Sequence, residues 1–199
     1  MEQQKSPAPT GLQNKPVSRI LPRLPKHWWL AMSLVNHGIK LLPCFLGRPL
    51  TLNEITGASS DVNLITTWGA LMYPWADVAI ATGSASGVVA VVVDLDNDGH
   101  VMWEHLLDQY GDFPATWHCR VDNKFLYLLK SDDSFASTEL FANDLHGISI
   151  KAEDDFAVLF PRARTSEVHF YFCSGDFQIS PIPDWLKRYY REGGVNNEP

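Results

Sequence analysis

Six consecutive residues, Val88-Val89-Ala90-Val91-Val92-Val93, are followed at once by Asp94, Asp96 and Asp98. Five of the six are β-branched, which is the composition of a strand buried on both faces of a sheet. Side chains alternate along a strand, so Asp94 and Asp96 are expected on one face at its carboxyl end, with Leu95 turned back into apolar packing. Two converging carboxylates repel one another unless a cation lies between them, and a hard divalent ion such as Mg²⁺ is the ordinary solution. Asn97, Asp98 and Gly99 then turn the chain.

With 199 residues, 45% of them hydrophobic, and seven Trp, one well-buried domain fits and two large ones do not. No stretch has the apolar length of a membrane span and the N-terminus lacks the apolar core of a signal peptide, so a soluble, cytoplasmic protein with no membrane partner is expected. Cys44, Cys119 and Cys173 are odd in number and lack Cys-x-x-Cys spacing. Three reduced core thiols follow, rather than a disulfide framework or zinc ribbon. The formal net charge of −7 is unevenly spread: Lys5, Lys15, Arg19, Arg23, Lys26, Lys40 and Arg48 face only Glu2 in residues 1–50. An acidic chain can bind nucleic acid only through such local concentrations of positive charge.

Taken in order, residues 1–25 form a Pro-rich basic leader, read as a solvated flexible arm. His27–His37 is a helix whose Trp28, Trp29, Met32, Leu34 and Val35 mostly face a core, stopped at Gly38. Ile39–Cys44 is a strand, the Arg48-Pro49 segment a loop, Asp61–Gly69 a helix with an Asp cap, and Val78–Ala81 a strand. Gly83-x-x-x-Gly87 matches neither a dinucleotide fingerprint nor a Walker loop, and a strand follows it, so a hairpin turn is expected. Gly99–Tyr110 is a helix with Val101, Leu106 and Leu107 available for packing. Thr116–Val121 and Lys124–Leu129 form a hairpin about Asp122-Asn123. Ile148–Lys151, Phe156–Phe160 and Val168–Cys173 are strands, and Pro183–Arg191 is a closing helix with Pro at its start. A domain over 26–191 and a disordered tail over 192–199 complete the organisation. The class is α+β around a largely antiparallel sheet flanked by helices.

An apolar strand ending in Asp-x-Asp serves several chemistries. Residues 94–99 imitate a calcium loop, but a strand precedes them and the twelfth position is His105 rather than Glu. A haloacid-type phosphatase calls for Thr or Val where Asp98 stands, and a metal-dependent glycosyltransferase stays open. A capped, solvated turn is a strong competitor for Asp98 and a weaker one for Asp94 and Asp96.

The order of segments is more specific than any one of them. NHGIKLLPC, the GRP loop, a helix ending in ITTW, ADVAIATGSASGVVAVVVDLD, FPATWHCRVDNKFLYL, GISIKAEDDFAVLFP and PIPDWL follow one another from about Leu30 to Leu186. This arrangement resembles the N-terminal domain of bifunctional DNA primase/polymerases of the archaeo-eukaryotic primase superfamily, carried by phages, plasmids and integrated elements. The resemblance implies a primase-polymerase fold with an RRM-like sheet, and two Mg²⁺ or Mn²⁺ ions held by three carboxylates, Asp94 and Asp96 being the first two and the catalytic pair. It also marks two departures. Phe125 stands where the family's second motif has a His, after Asp122-Asn123-Lys124 in place of a Gly-Gly pair, and it cannot donate a hydrogen bond. Ser149 stands where the third motif has a metal-binding Asp, in Gly147-Ile148-Ser149-Ile150-Lys151.

Two functions follow from that resemblance. The first is a domain that has lost nucleotidyl transfer and serves replication of a mobile element as a DNA-binding or protein-docking accessory. Arg48, Arg120, Lys124 and Lys151 would contact phosphates of single-stranded or primer-template DNA, and exposed aromatic side chains would stack on bases. The alternative is an active, divergent metal-dependent primase/polymerase, favoured if the fold brings Asp154 or Asp122 beside Asp94. Glu153, Asp154 and Asp155 read more simply as a solvated turn. His118 and Arg120, two apart on one strand, are expected on a common face, either that of the metal pair or a purely structural one. The chain ends soon after PIPDWL with no helicase region, so a separate helicase or primase partner is expected.

Overall fold

The computed structural model describes residues 23–132, 147–161 and 178–191. Most of the leader, the tail over 192–199, Cys173 and the strand expected at Val168–Cys173 lie outside the described residues.

The elements are α1 (Lys26–Val35), β1 (Leu41–Phe45), β2 (Arg48–Pro49), α2 (Val62–Thr67), β3 (Asp77–Ala81), β4 (Val88–Asp94), α3 (Gly99–Tyr110), β5 (His118–Val121), β6 (Lys124–Lys130), β7 (Ile148–Lys151), β8 (Phe156–Phe160), β9 (Ser180–Pro181) and α4 (Asp184–Arg191). The strands build two sheets, ordered β2-β1-β3-β8 and β5-β6-β4-β7, with β9 joining β6. Pairing is antiparallel throughout except between β6 and β9. The protein is therefore α+β.

Local chemistry explains the boundaries. Asp61 caps α2 by accepting from the Asn63 amide at 2.8 Å. The β1–β2 segment expected as a loop is a two-residue hairpin with Leu46 at φ 50° and Gly47 at φ 72°, the double left-handed geometry that matches strand twist. Gly83 and Gly87 do turn the chain, but not within one sheet. β3 belongs to the first sheet and β4 to the second, and between them Gly83 and Val88 form an isolated antiparallel bridge. β7 and β8 divide between the sheets in the same way.

Alternation decides what each face covers. Val88, Ala90, Leu126, Leu128, Cys119 and Val121 of the second sheet meet α1, α2 and the first sheet in one core that contains Trp28, Leu34, Leu41 and Ile80. Val89, Val91, Val93, Ile148 and Ile150 point the other way, under Trp103 and Leu106 of α3 and Trp185 and Leu186 of α4. There Trp103 stacks on Tyr127 at 5.3 Å and Trp185 on Tyr110 at 5.5 Å, a geometry worth roughly 0.5–1.5 kcal/mol per pair beyond area burial. Trp103 takes the packing role expected of Val101, which is exposed, and Trp29 on α1 is also exposed. β4 is central in its sheet and buried on both faces along most of its length, as its composition requires.

Candidate functional site

The second sheet delivers Asp94 to the end of its central strand, directly opposite Lys124, the first residue of β6. Lys124 Nζ lies 2.9 Å from Asp94 Oδ2. β4 stops at Asp94 itself: Leu95–Asn97 form a 3₁₀ turn, and Asp98 adopts the left-handed conformation at φ 57°. Asp96 thus follows the strand rather than sharing its face, contrary to the simple period-two expectation. The cause is Asp94's own side chain, which accepts from the Asp96 amide (3.1 Å) at Oδ1 and from Asn97 Nδ2 (3.2 Å) at Oδ2. A short carboxylate bonding the backbone two residues on is a standard turn initiator.

The neighbouring turn closes on this one. Asn123 Nδ2 donates to Asp96 Oδ1 at 2.8 Å, and the Leu95 amide donates to the Asn123 carbonyl at 2.8 Å. On the other side the Asp94 amide donates to the Gly147 carbonyl at 2.6 Å. Gly147 lies at φ 75°, and a Cβ there would stand 2.5 Å from the Asn97 carbonyl oxygen. A Cβ on Gly99 would likewise meet the backbone oxygens of Gly147 and Asp94. The two glycines let three backbones pack without intervening side chains. Sequence reasoning does not single out Asn97, Asn123, Gly99 and Gly147 as site residues; the available signal is a turn-forming Asn or Gly beside each motif.

Electrostatics follow from these contacts. Partial burial opposes Asp94's charge, but the hydrogen bond from Lys124, the Asp96 amide, the ammonium's field and Asn97 outweigh it and hold the carboxyl below its ordinary value.

The register sorts the other candidates. Ser149 pairs with Val92 on the far side of β4 and so shares Asp94's face, half-buried. Lys151 shares that face but lies opposite Ala90, toward the other end of β4, with its ammonium 3.2 Å from Asp155 Oδ2. Phe125 pairs with Val93 on the opposite face, packed against the α3–α4 core. His118 and Arg120 pair with Tyr127 and Phe125, so they too lie on the face away from Asp94. Arg120 stands over the Phe125 ring, 5.5 Å from its centroid. Arg48 is exposed on β2, the edge of the other sheet, opposite Phe45. Lys124 is therefore the one of the four expected phosphate-binding cations placed against the carboxylate pair.

Neither Asp122 nor Asp154 completes a ligand set: among the described residues no three His, Cys, Asp or Glu side chains cluster as a metal site requires. Two carboxylates, one already ion-paired, are a poor match for two dications that favour dense oxygen coordination. The residues described do not fit a two-ion centre.

Among the described residues no helix is long and apolar enough to cross a membrane. Residues 31–185 match the family model described as bifunctional DNA primase/polymerase, N-terminal. No curated protein matches the chain.

Proposed function

Because this chain belongs to the bifunctional DNA primase/polymerase N-terminal domain family, whose members are typically metal-dependent, we propose that it is a primase/polymerase-like replication protein whose nucleotidyl-transfer centre is impaired. In this reading it acts in the replication of a phage, plasmid or integrated element as a DNA-binding or protein-docking accessory. One observation carries the impairment: Ser149, neutral, occupies Asp94's face on the adjoining strand, and no third ligand joins Asp94 and Asp96 among the described residues. Removing one preorganised group that stabilises the transition state costs such a centre roughly 10²–10³ in rate. A missing third carboxylate should therefore lower turnover by orders of magnitude.

DNA binding does not need that centre. Of the four expected phosphate-binding cations, Arg48 is exposed and carries this reading, whereas Lys124 and Lys151 are ion-paired with Asp94 and Asp155 and Arg120 lies over Phe125. Beside Arg48, Phe45 and Trp75 meet edge to face at 5.3 Å, and Trp75 is 43% exposed, as a base-stacking surface requires. A separate helicase or primase would be its partner, nucleotidyl transfer being left to another protein.

The test is primer extension and de novo priming by the purified protein with Mg²⁺ or Mn²⁺, beside Asp94→Ala/Asp96→Ala, with single-strand binding measured on the same samples. The expected result is no incorporation together with retained binding. Incorporation by the wild-type chain that disappears in the double variant would instead establish an active, divergent primase/polymerase.

A further inference from the structure

We propose that the Lys124 ammonium is the resident cation of the Asp94–Asp96 turn, a covalently attached substitute for a divalent ion. The inference deepens the impaired-site reading, but it concerns cation occupancy and is measured without reference to turnover.

Protein groups donate to both carboxylates of the turn. Asp94 Oδ2 receives Lys124 Nζ at 2.9 Å and Asn97 Nδ2 at 3.2 Å, Oδ1 receives the Asp96 amide at 3.1 Å, and Asp96 Oδ1 receives Asn123 Nδ2 at 2.8 Å. A divalent ion bound to Asp94 would need one of those oxygens at about 2.0–2.6 Å, with further oxygen ligands around it. It would then sit beside an ammonium that already holds the same carboxylate, two like charges sharing one counter-charge.

Backbone register brings the lysine's Cα to the site. It lies directly across the ladder from Asp94, and the Asp122-Asn123 turn that precedes it is bonded to the Asp-x-Asp turn through Leu95 and Asp96. An ammonium carries one charge and three donors, whereas a dication carries two charges and about four to six open coordination positions. The substitution keeps the carboxylate neutralised and ordered without a metal, and withholds the coordination sphere that a nucleotide's phosphates would complete.

The experiment is a Mn²⁺ titration of the full chain followed by electron paramagnetic resonance, comparing wild type, Lys124→Met, Lys124→Gln, Asp94→Asn and Lys124→Met/Asp94→Asn. Binding is scored as the part that Asp94→Asn removes, so that Mn²⁺ held elsewhere on an acidic surface does not enter. Any such component in wild type is expected to be at least tenfold weaker than the one gained by Lys124→Met, which is lost again in the double variant. In parallel, Mg²⁺ should raise the melting temperature of Lys124→Gln and leave that of wild type unchanged, because an ion that binds only the folded state stabilises it. This second reading serves if the methionine variant folds poorly. The proposal is overturned if wild type already binds Mn²⁺ through Asp94 as tightly as the lysine variants, or if neither lysine variant gains Asp94-dependent binding. Wild-type Mn²⁺ binding without primer synthesis would sink this inference and leave the impaired-site reading standing; Asp94-dependent synthesis would sink both.

Discussion

Glu153, in the turn between β7 and β8, accepts hydrogen bonds from both the amide and the hydroxyl of Ser84, in the turn between β3 and β4, the amide contact being 2.6 Å. Beside this contact the Thr82 hydroxyl donates to the Ala152 carbonyl at 2.6 Å, and the Thr82 amide to the Asp155 carbonyl at 2.9 Å. Both turns carry the chain from one sheet to the other. They are fastened to each other at the point where they cross.

The two Ser84 bonds hold the Glu153 carboxyl below its ordinary value, outweighing a small opposing effect of burial. A depressed carboxylate stabilises the fold above its unfolded value and loses that contribution as pH falls through the folded value. Glu153's contribution should therefore be level above about pH 4.3 and decline below it. Glu153→Gln, unable to accept from both donors, should be less stable by about 1 kcal/mol near neutrality and show a shallower decline at acid pH. Chemical denaturation across a pH series measures both.

Gly99→Ala should lower stability by about 1–3 kcal/mol, the usual range for overpacking, because the added methyl meets backbone oxygens of Gly147 and Asp94 rather than a yielding side chain. For a chain of this size that is roughly 2–4 °C of melting temperature per kcal/mol. A melt indistinguishable from wild type would show that the three backbones can separate cheaply.

Arg48 and Arg120 should behave differently despite equal charge. Arg48 is exposed at a hairpin beside the Phe45–Trp75 pair, whereas Arg120 lies over Phe125 and its Nε donates to the Asp122 carbonyl at 3.2 Å. Arg48→Ala should weaken single-strand binding and reduce the slope of log affinity against log salt by about one. Arg120→Ala should leave the slope unchanged and cost about 0.5–1 kcal/mol of stability. Fluorescence anisotropy at several salt concentrations, paired with thermal melts, separates the two.

Cys44 and Cys119 should be inert to thiol reagents in the native protein. Burial pushes both thiols up to about 12, with Asp77's nearby charge adding to the effect at Cys44, and the thiolate is the reactive form. Alkylation followed by peptide mapping should find both unmodified until denaturant is added.

The sequence made β4, β7, β8 and α3 legible with their boundaries close to those observed, because a continuous β-branched run, two short apolar segments and a helical stretch each begin or end at Gly, Asp or Asn. Two matters of the site were not readable in that way. Whether Lys124 or Phe125 faces Asp94 depends on cross-strand register, and alternation within one strand fixes only that the two point apart; a slip of one residue exchanges them. Asp96's departure from the strand depends on Asp94 capping its own turn, a choice that two-residue spacing does not reveal. The crossing between sheets was hidden for a related reason: Gly83 and Gly87 specify a turn, and nothing local states which strand the next segment will pair with.

That crossing bears on how the protein is made. β3 pairs with β8 through Ala81 opposite Phe156 and Val78 opposite Phe160, and all five residues of β3 are buried in the finished molecule. On a ribosome β1 and β3 emerge early, but the strand that closes β3's other edge follows only after β4 to β7 of the second sheet have been synthesised. Throughout that interval a largely apolar strand presents an open hydrogen-bonding edge, the kind that recruits another chain. The nascent protein is thus most prone to association before β8 is translated, and a truncation after β7 should aggregate where the full chain does not.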